Sequence, residues 1–294
     1  MRSNRTFLHS HAPVLWGSLC ALAACQNNVH GNHELGSDKD FPESPTDLSP
    51  PPADLSHPPA TKTTIREINQ GQVATDVWVQ VDGVVTAPYA LAYAMPLTGQ
   101  CVYERTMLQP SLSPTLHDGM LLRAIETVQT GDMGLTQGAC QARAAASVLG
   151  KWPLGESITV IAPFAQVGSL RFLNLTTGEI QSHGPSTEAL LPVVVATSQF
   201  PSATLGGPTP AAFFDAHAAL VRFGPAVTSQ RNLANQTFKI GASGFETRFN
   251  PVYLKLADGA YAAPTDGTTL LNATGIVGID LSGTVSPRGP GDVK

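Results

Sequence analysis

The chain has 294 residues, 42% hydrophobic and only 13% charged, which is apolar material enough for more than one folded core. With 27 Gly, 24 Pro and 6% aromatics it favours short strands joined by many turns over long helices, so an all-β class is expected. A formal net charge of -5 gives a phosphate backbone little to attract it, and nucleic acid is not the expected partner unless a local basic patch escapes the whole-chain sum.

At the N-terminus, Arg2 and Arg5 form a positive region ahead of an apolar stretch from Ala12 to Ala24 that only Pro13, Gly17 and Ser18 interrupt. A bilayer of about 30 Å takes roughly 20 apolar residues as helix, so residues 1-24 read as a signal peptide rather than a span. Leu22-Ala23-Ala24-Cys25 resembles the bacterial lipobox: a branched apolar residue, two small residues and the cysteine. The resemblance implies cleavage before Cys25, lipid on its thiol (palmitate among the acyl chains) and a membrane as first partner. Gln26 stands where an aspartate signals inner-membrane retention in enterobacterial lipoproteins, so the resemblance favours the outer membrane of the cell envelope.

Residues 25-63 are polar, rich in Pro from Pro42 to Pro59 and without apolar periodicity, the composition of a disordered tether that could be shortened without unfolding the rest. His30, His33 and Glu34 lie there, and a solvated segment offers no preorganised metal geometry; no metal or other cofactor is expected. Cys20 leaves with the signal peptide and Cys25 is lipidated. In an exported chain the remaining Cys101 and Cys140 suggest one disulfide, closing a loop of roughly 40 residues worth about 3-4 kcal/mol in the chain-entropy model.

From Asp76 to Pro88, Val77, Val79 and Val81 alternate with Trp78, Gln80 and Asp82, a half-buried strand with Gly83 as a bulge or bend. Residues 119-126 form a second apolar run. The segment between, with Cys101, is less regular, and 131-150 has room for a short helix ending near Gly150. ITVIAPF and LRFLNL form a hairpin, a loop follows, and 190-197 is strand-like. Residues 201-210 are Pro/Gly-rich and mark the boundary between a first domain, 64-200, and a second, 201-294. In the second, 213-229 reads as an opening strand, FKIG and VYLKLADG follow, and 267-288 closes with a hairpin that includes Ile276, Val277, Ile279 and Leu281. The shared order suggests an internal duplication of two β-units.

Val81-Asp82-Gly83-Val84-Val85-Thr86 in the first unit, and Thr274 to Val277 with Pro287-Arg288-Gly289-Pro290-Gly291-Asp292 in the second, resemble the OB-fold-like domains of bacterial secreted proteins and lipoproteins, often found beside extracellular nucleases. The resemblance covers about 64-294 and implies two small OB-like β-barrels in tandem. Such barrels bind oligonucleotides or oligosaccharides on one face, and fold alone does not give function.

No HExxH, G-x-S-x-G, P-loop or C-x-x-C is present, and no catalytic residue is assigned. His117-Asp118 and Asp215-x-His217 are the His/Asp neighbours of the folded region, the second placing both side chains on one strand face as a hydrolase alternative. Stacking and cationic candidates for a ligand face are Trp78, Tyr89, Tyr93, Tyr103, Arg105 and Arg123 in the first unit and Phe245, Arg248, Phe249 and Tyr253 in the second. The first unit is acidic and the second near charge balance, so an anionic ligand belongs to the second. The expected role is a membrane-anchored, non-enzymatic binding or assembly module for an envelope protein or glycan. The alternatives are a nucleic-acid-binding accessory of an extracellular nuclease system and a hydrolase using Asp215 and His217.

Overall fold

A computed structural model of the chain describes residues 57-128, 135-202, 209-258, 261-278 and 283-294. Cys25, the signal peptide, most of the expected tether, Ile279 and Leu281 lie outside the described residues.

The first half holds β1 (Thr61–Lys62), α1 (Ile65–Asn69), β2 (Trp78–Val85), β3 (Leu91–Met95), β4 (Gln100–Leu108), β5 (Gly119–Thr127), α2 (Gln137–Arg143), β6 (Glu156–Val167), β7 (Leu170–Asn174) and β8 (Glu179–Pro185). Five of these strands close on themselves in the order β2-β4-β5-β7-β6 and back to β2, every neighbour antiparallel except β5 and β7, which run parallel. The ring with one parallel pair, and a helix between its third and fourth strands, is the Greek-key barrel of the OB fold. Val79, Val81, Met107, Leu122, Val160, Phe164 and Leu173 fill its interior.

The second half holds β9 (Val193–Val195), α3 (Ala211–Asp215), β10 (Leu220–Phe223), β11 (Ala226–Ser229), β12 (Phe238–Ile240), β13 (Thr247–Phe249), α4 (Val252–Asp258), β14 (Thr269–Leu270), β15 (Ala273–Val277) and β16 (Val285–Ser286). β10 and β11 are one strand broken at Gly224-Pro225, and β14 and β15 one strand broken at Leu271-Asn272. Joined so, the pairings β11-β12-β13-β16-β15-β10 close a second ring in the same order, again with one parallel pair, β13 with β16, and a helix after the third strand. The chain is therefore all-β, with two OB-like barrels. Phe223, Phe238, Phe249, Ile240 and Val277 fill the second interior.

Several elements depart from the sequence-based expectations. The less regular stretch around Cys101 is the nine-residue β4, paired along its whole length with β5. It hides from a periodicity reading because Glu104, Arg105 and Thr106 are all buried, breaking the alternation. β8, expected as a loop, pairs with β6, and β13 went unmarked. Residues 213-215, read as the start of a strand, belong to α3 after Pro210, and Val252–Asp258 form α4 after Pro251. The strand-like 190-197 contributes β9 to the second sheet, parallel to β10. At the end of the expected tether, Thr61 and Lys62 pair with Val79 and Gln80. The helix expected in 131-150 is α2, which Thr136 caps by accepting from Ala139 N at 3.2 Å. Its Cys140 is bonded to Cys101 of β4, with Cα atoms 5.5 Å apart.

The two barrels pack against each other. On the second, Leu220 and Ile276 are cross-strand partners on the outside of β10 and β15, and they pack with Leu108, Leu91 and Ala87 of the first and with Tyr253. At Gly119, where β5 begins, a Cβ would lie 2.2 Å from the Ala218 carbonyl carbon. A methyl group there forces the barrels apart. Gly119→Ala should lower the thermal midpoint by several degrees, whereas Gly138→Ala, in α2 with open space around it, should stabilise by about 0.5–1 kcal/mol. Thermal melts check both; an unchanged midpoint for Gly119→Ala contradicts the packing.

Candidate nucleic-acid interface

An OB barrel presents its ligand face on the outside of its second and third strands and on the loop joining its first and second. In the first barrel that face is β4 and β5. Its lower end, at Leu108 and Gly119, lies under the second barrel. In its middle, Glu104 and Arg123 are cross-strand partners and form an ion pair, Arg123 Nε donating to Glu104 Oε1 at 2.9 Å, while the guanidinium lies 4.4 Å from the Phe172 ring centroid. Burial pushes the Glu104 carboxyl above the usual carboxylate range, and Arg123 opposes that shift. Arg123 is thus committed to its own barrel.

Most other candidates of this half are committed as well, Tyr93 packing against the Leu91 and Leu108 cluster. His57 stacks on Trp78, with centroids 5.3 Å apart and planes at 15°. Tyr103 is buried and donates to Glu126 Oε2 at 2.7 Å. Arg105 is buried and donates to Ala87 O, Pro88 O and Leu149 O, and burial lowers its pKa to about 10. Tyr89 is exposed. In the second half Tyr253 and Phe249 are buried in the core and cannot stack on a ligand, while Phe245 is 58% exposed.

The dyad that the hydrolase alternative places on Asp215 and His217 does not assemble on a strand. Asp215 ends α3 exposed, and His217 follows it buried, beside Gly278. Asp118 is held by Arg66 at 2.9 and 3.0 Å. Among the described residues no three His, Cys, Asp or Glu side chains form a group that could hold a metal ion.

A different arrangement stands on the second barrel. Strand registers place Ser229 opposite Lys239 and Lys239 opposite Arg248, a row across β11, β12 and β13. Phe238, Ile240 and Phe249 point into the core, so the row faces out. Beside it the 230-237 loop, joining the first and second strands, and Arg248 line a groove of about 750 Å³ that includes Arg231. The five described arginines of the first barrel, Arg66, Arg105, Arg123, Arg143 and Arg171, all donate to protein acceptors. Among the described residues, the guanidinia of Arg231 and Arg248 have no such acceptor. Lys239 has only Glu246, at 4.0 Å. Phe245 lies in the 241-246 turn of the same hairpin.

Of this site the sequence marks Arg248 and Phe245. Ser229, Arg231 and Lys239 escape it because the row is made by register across three strands, and spacings of ten and nine residues match no local pattern.

No family model and no curated protein matches the sequence. Among solved structures the chain is similar to a chain of a replication protein A heterotrimer bound to ssDNA, at 7% identity over 58% of this chain and 38% of that one, with a TM-score of 0.27. It is also similar to a deletion mutant of the single-stranded DNA binding protein from Thermus aquaticus, at 12% identity over 68% of this chain and 84% of that one, with a TM-score of 0.23. The fold assignment rests on the strand pairing, not on these likenesses.

Because the folded Glu104 carboxyl titrates above its unfolded value, its protonation stabilises the fold below about pH 4.3, and this contribution is lost as pH rises through the folded pKa. Glu104→Gln should flatten the stability-pH curve in that window; denaturant midpoints across the acid range that fall in parallel for both proteins contradict it.

Proposed function

We propose that the chain is a non-enzymatic binding module that holds single-stranded nucleic acid across β11, β12 and β13 of its second barrel. The observation that carries this reading is the outward row of cations: Lys239, with one carboxylate 4.0 Å away, beside Arg248, and Arg231 at the adjoining loop. Like charges placed opposite one another on a sheet are destabilising, so a neighbouring cation pair on a strand face makes sense when an anion arrives. The exposed Phe245 at the hairpin tip adds a ring on which a base can stack, which a purely ionic polymer would not use. Phosphate contacts and stacking together give binding with little sequence preference. The whole-chain charge hides this patch, since residues 201-294 carry seven Lys and Arg against six acids while 64-200 carry six against ten.

The same reading keeps the cell-envelope location and the lipid anchor, for which the support is the Leu22-Ala23-Ala24-Cys25 motif behind an apolar stretch. Cys25→Ser should abolish incorporation of radiolabelled lipid, because serine has no thiol to alkylate; equal labelling of wild type and mutant contradicts the anchor.

Fluorescence anisotropy with a labelled oligothymidylate tests the interface. Affinity should fall steeply between about 50 and 200 mM salt, with a log-log slope of roughly −2 for three phosphate contacts. Lys239→Gln with Arg248→Gln should weaken binding by about tenfold or more, and Arg123→Gln should leave it unchanged. Binding of a neutral glycan without salt dependence, and none of the oligothymidylate, overturns the reading in favour of a glycan partner.

A further inference from the structure

Around the loop from β11 to β12, three buried side-chain atoms have no partner among the described residues: Ser229 Oγ, Arg231 Nε and Tyr261 Oη. The loop itself is tightly bonded. Asn232 N donates to Thr237 O at 2.8 Å, Lys255 Nζ to Asn235 O at 2.9 Å and Ala263 N to Gln236 Oε1 at 2.8 Å. Poor local packing therefore does not account for the three. Arg231 lines the groove, its charge acts on the Tyr261 phenol, and Ser229 stands two residues before it at the end of β11. Buried donors nearly always have an acceptor, and a chain that leaves three around one loop is arranged for an acceptor from outside.

We propose that Ser229, Arg231 and Tyr261, with Arg248 across the groove, form a pocket for one tetrahedral phosphate group. The inference rests on the polyanion reading above and names the group that this end of the site recognises. A guanidinium offers a fork matched to two phosphate oxygens, and each hydroxyl adds one donor, so the set suits a group with several acceptor oxygens better than a flat carboxylate. Burial pushes the Tyr261 phenol up to about 12, against the lowering effect of Arg231, so it stays protonated and donates. Lys239 and Arg248 add favourable charge at the site. Two carboxylates oppose it: Asp266, whose Oδ1 accepts from Arg231 N at 2.9 Å, and Glu246, 4.0 Å from Lys239.

The test uses the full chain and two probes, inorganic phosphate and the oligothymidylate. Phosphate should raise the thermal midpoint of the wild type above that in chloride of equal ionic strength, and should not do so for Arg231→Gln. Arg231→Gln should also weaken oligothymidylate binding about fivefold or more and reduce the salt slope by about one contact. If phosphate stabilises both proteins alike, it is an adventitious ion only and the pocket is refuted. If the oligothymidylate binds Arg231→Gln as tightly as wild type but is lost in Lys239→Gln, the nucleic-acid reading stands and the pocket falls. If no oligothymidylate binds while phosphate stabilisation still depends on Arg231, the pocket stands and the polymer reading falls. Should Arg231→Gln fail to fold, Ser229→Ala and Tyr261→Phe, which remove a hydroxyl alone, are expected to lose part of the phosphate response; an undiminished response in both overturns the proposal.

Discussion

The contact at Gly119 decides how the molecule can be used. Only a residue without a Cβ lets the Ala218 main chain lie against the start of β5, and that approach brings Leu220 and Ile276 of the second barrel onto Leu108 of the first. Each aliphatic side chain buried there contributes about 1.5–3 kcal/mol, an upper estimate since the unfolded chain already hides part of that surface. The geometry is head-to-tail. The second barrel spends the outside of its first and fourth strands, β10 and β15, on the outside of the first barrel's second and third, β4 and β5. The lower end of one ligand face is thereby covered within the chain, while the row across β11, β12 and β13 of the other adjoins a groove.

Electrostatics follow the same division. In the first barrel every described arginine has a protein acceptor: the buried Arg105 has three main-chain carbonyls, and the half-buried Arg123 has Glu104. These charges hold β4 to the loop after β2, to the end of the 144-149 segment and to β5, so they serve cohesion. In the second barrel the guanidinia of Arg231 and Arg248 lack such acceptors among the described residues, beside a lysine whose nearest carboxylate is 4.0 Å away. Donors without a protein acceptor beside a groove are available to a ligand, whereas those paired within a barrel are not.

The sequence announces whatever depends on local pattern. The alternation through Val79 and Val81, the ITVIAPF and LRFLNL hairpin, and the order shared by the two halves all lead to barrels built from short strands. The Cys101-Cys140 bond is legible in the sequence because two thiols remain once Cys20 and Cys25 are assigned elsewhere, and paired thiols oxidise in the compartment that the N-terminal motif leads one to expect. β4 is not, since three consecutive polar residues, held by an ion pair, main-chain carbonyls and a hydroxyl, look like a surface segment until their partners are known. α3 departs from the strand expected there, and α4 carries no assigned type, for a related reason: short apolar runs do not distinguish helix from strand, and Pro210 and Pro251 are the local signs. The candidate site fared worst. Aromatic and cationic residues were recognisable by type, but which faced solvent was set by burial for Tyr253, by an in-chain stack for Trp78 and by register for Lys239.

The central claim is that the open face of the second barrel, and not the first, receives the ligand. Hydrogen-deuterium exchange on the full chain, with and without saturating oligothymidylate, tests it most directly. The account predicts slowed exchange in 226-249, across β11 to β13 and their connecting loops, with β4 and β5 unchanged. Protection confined to 100-127, or to the groove beside Lys62, Asp82 and His183, would contradict it.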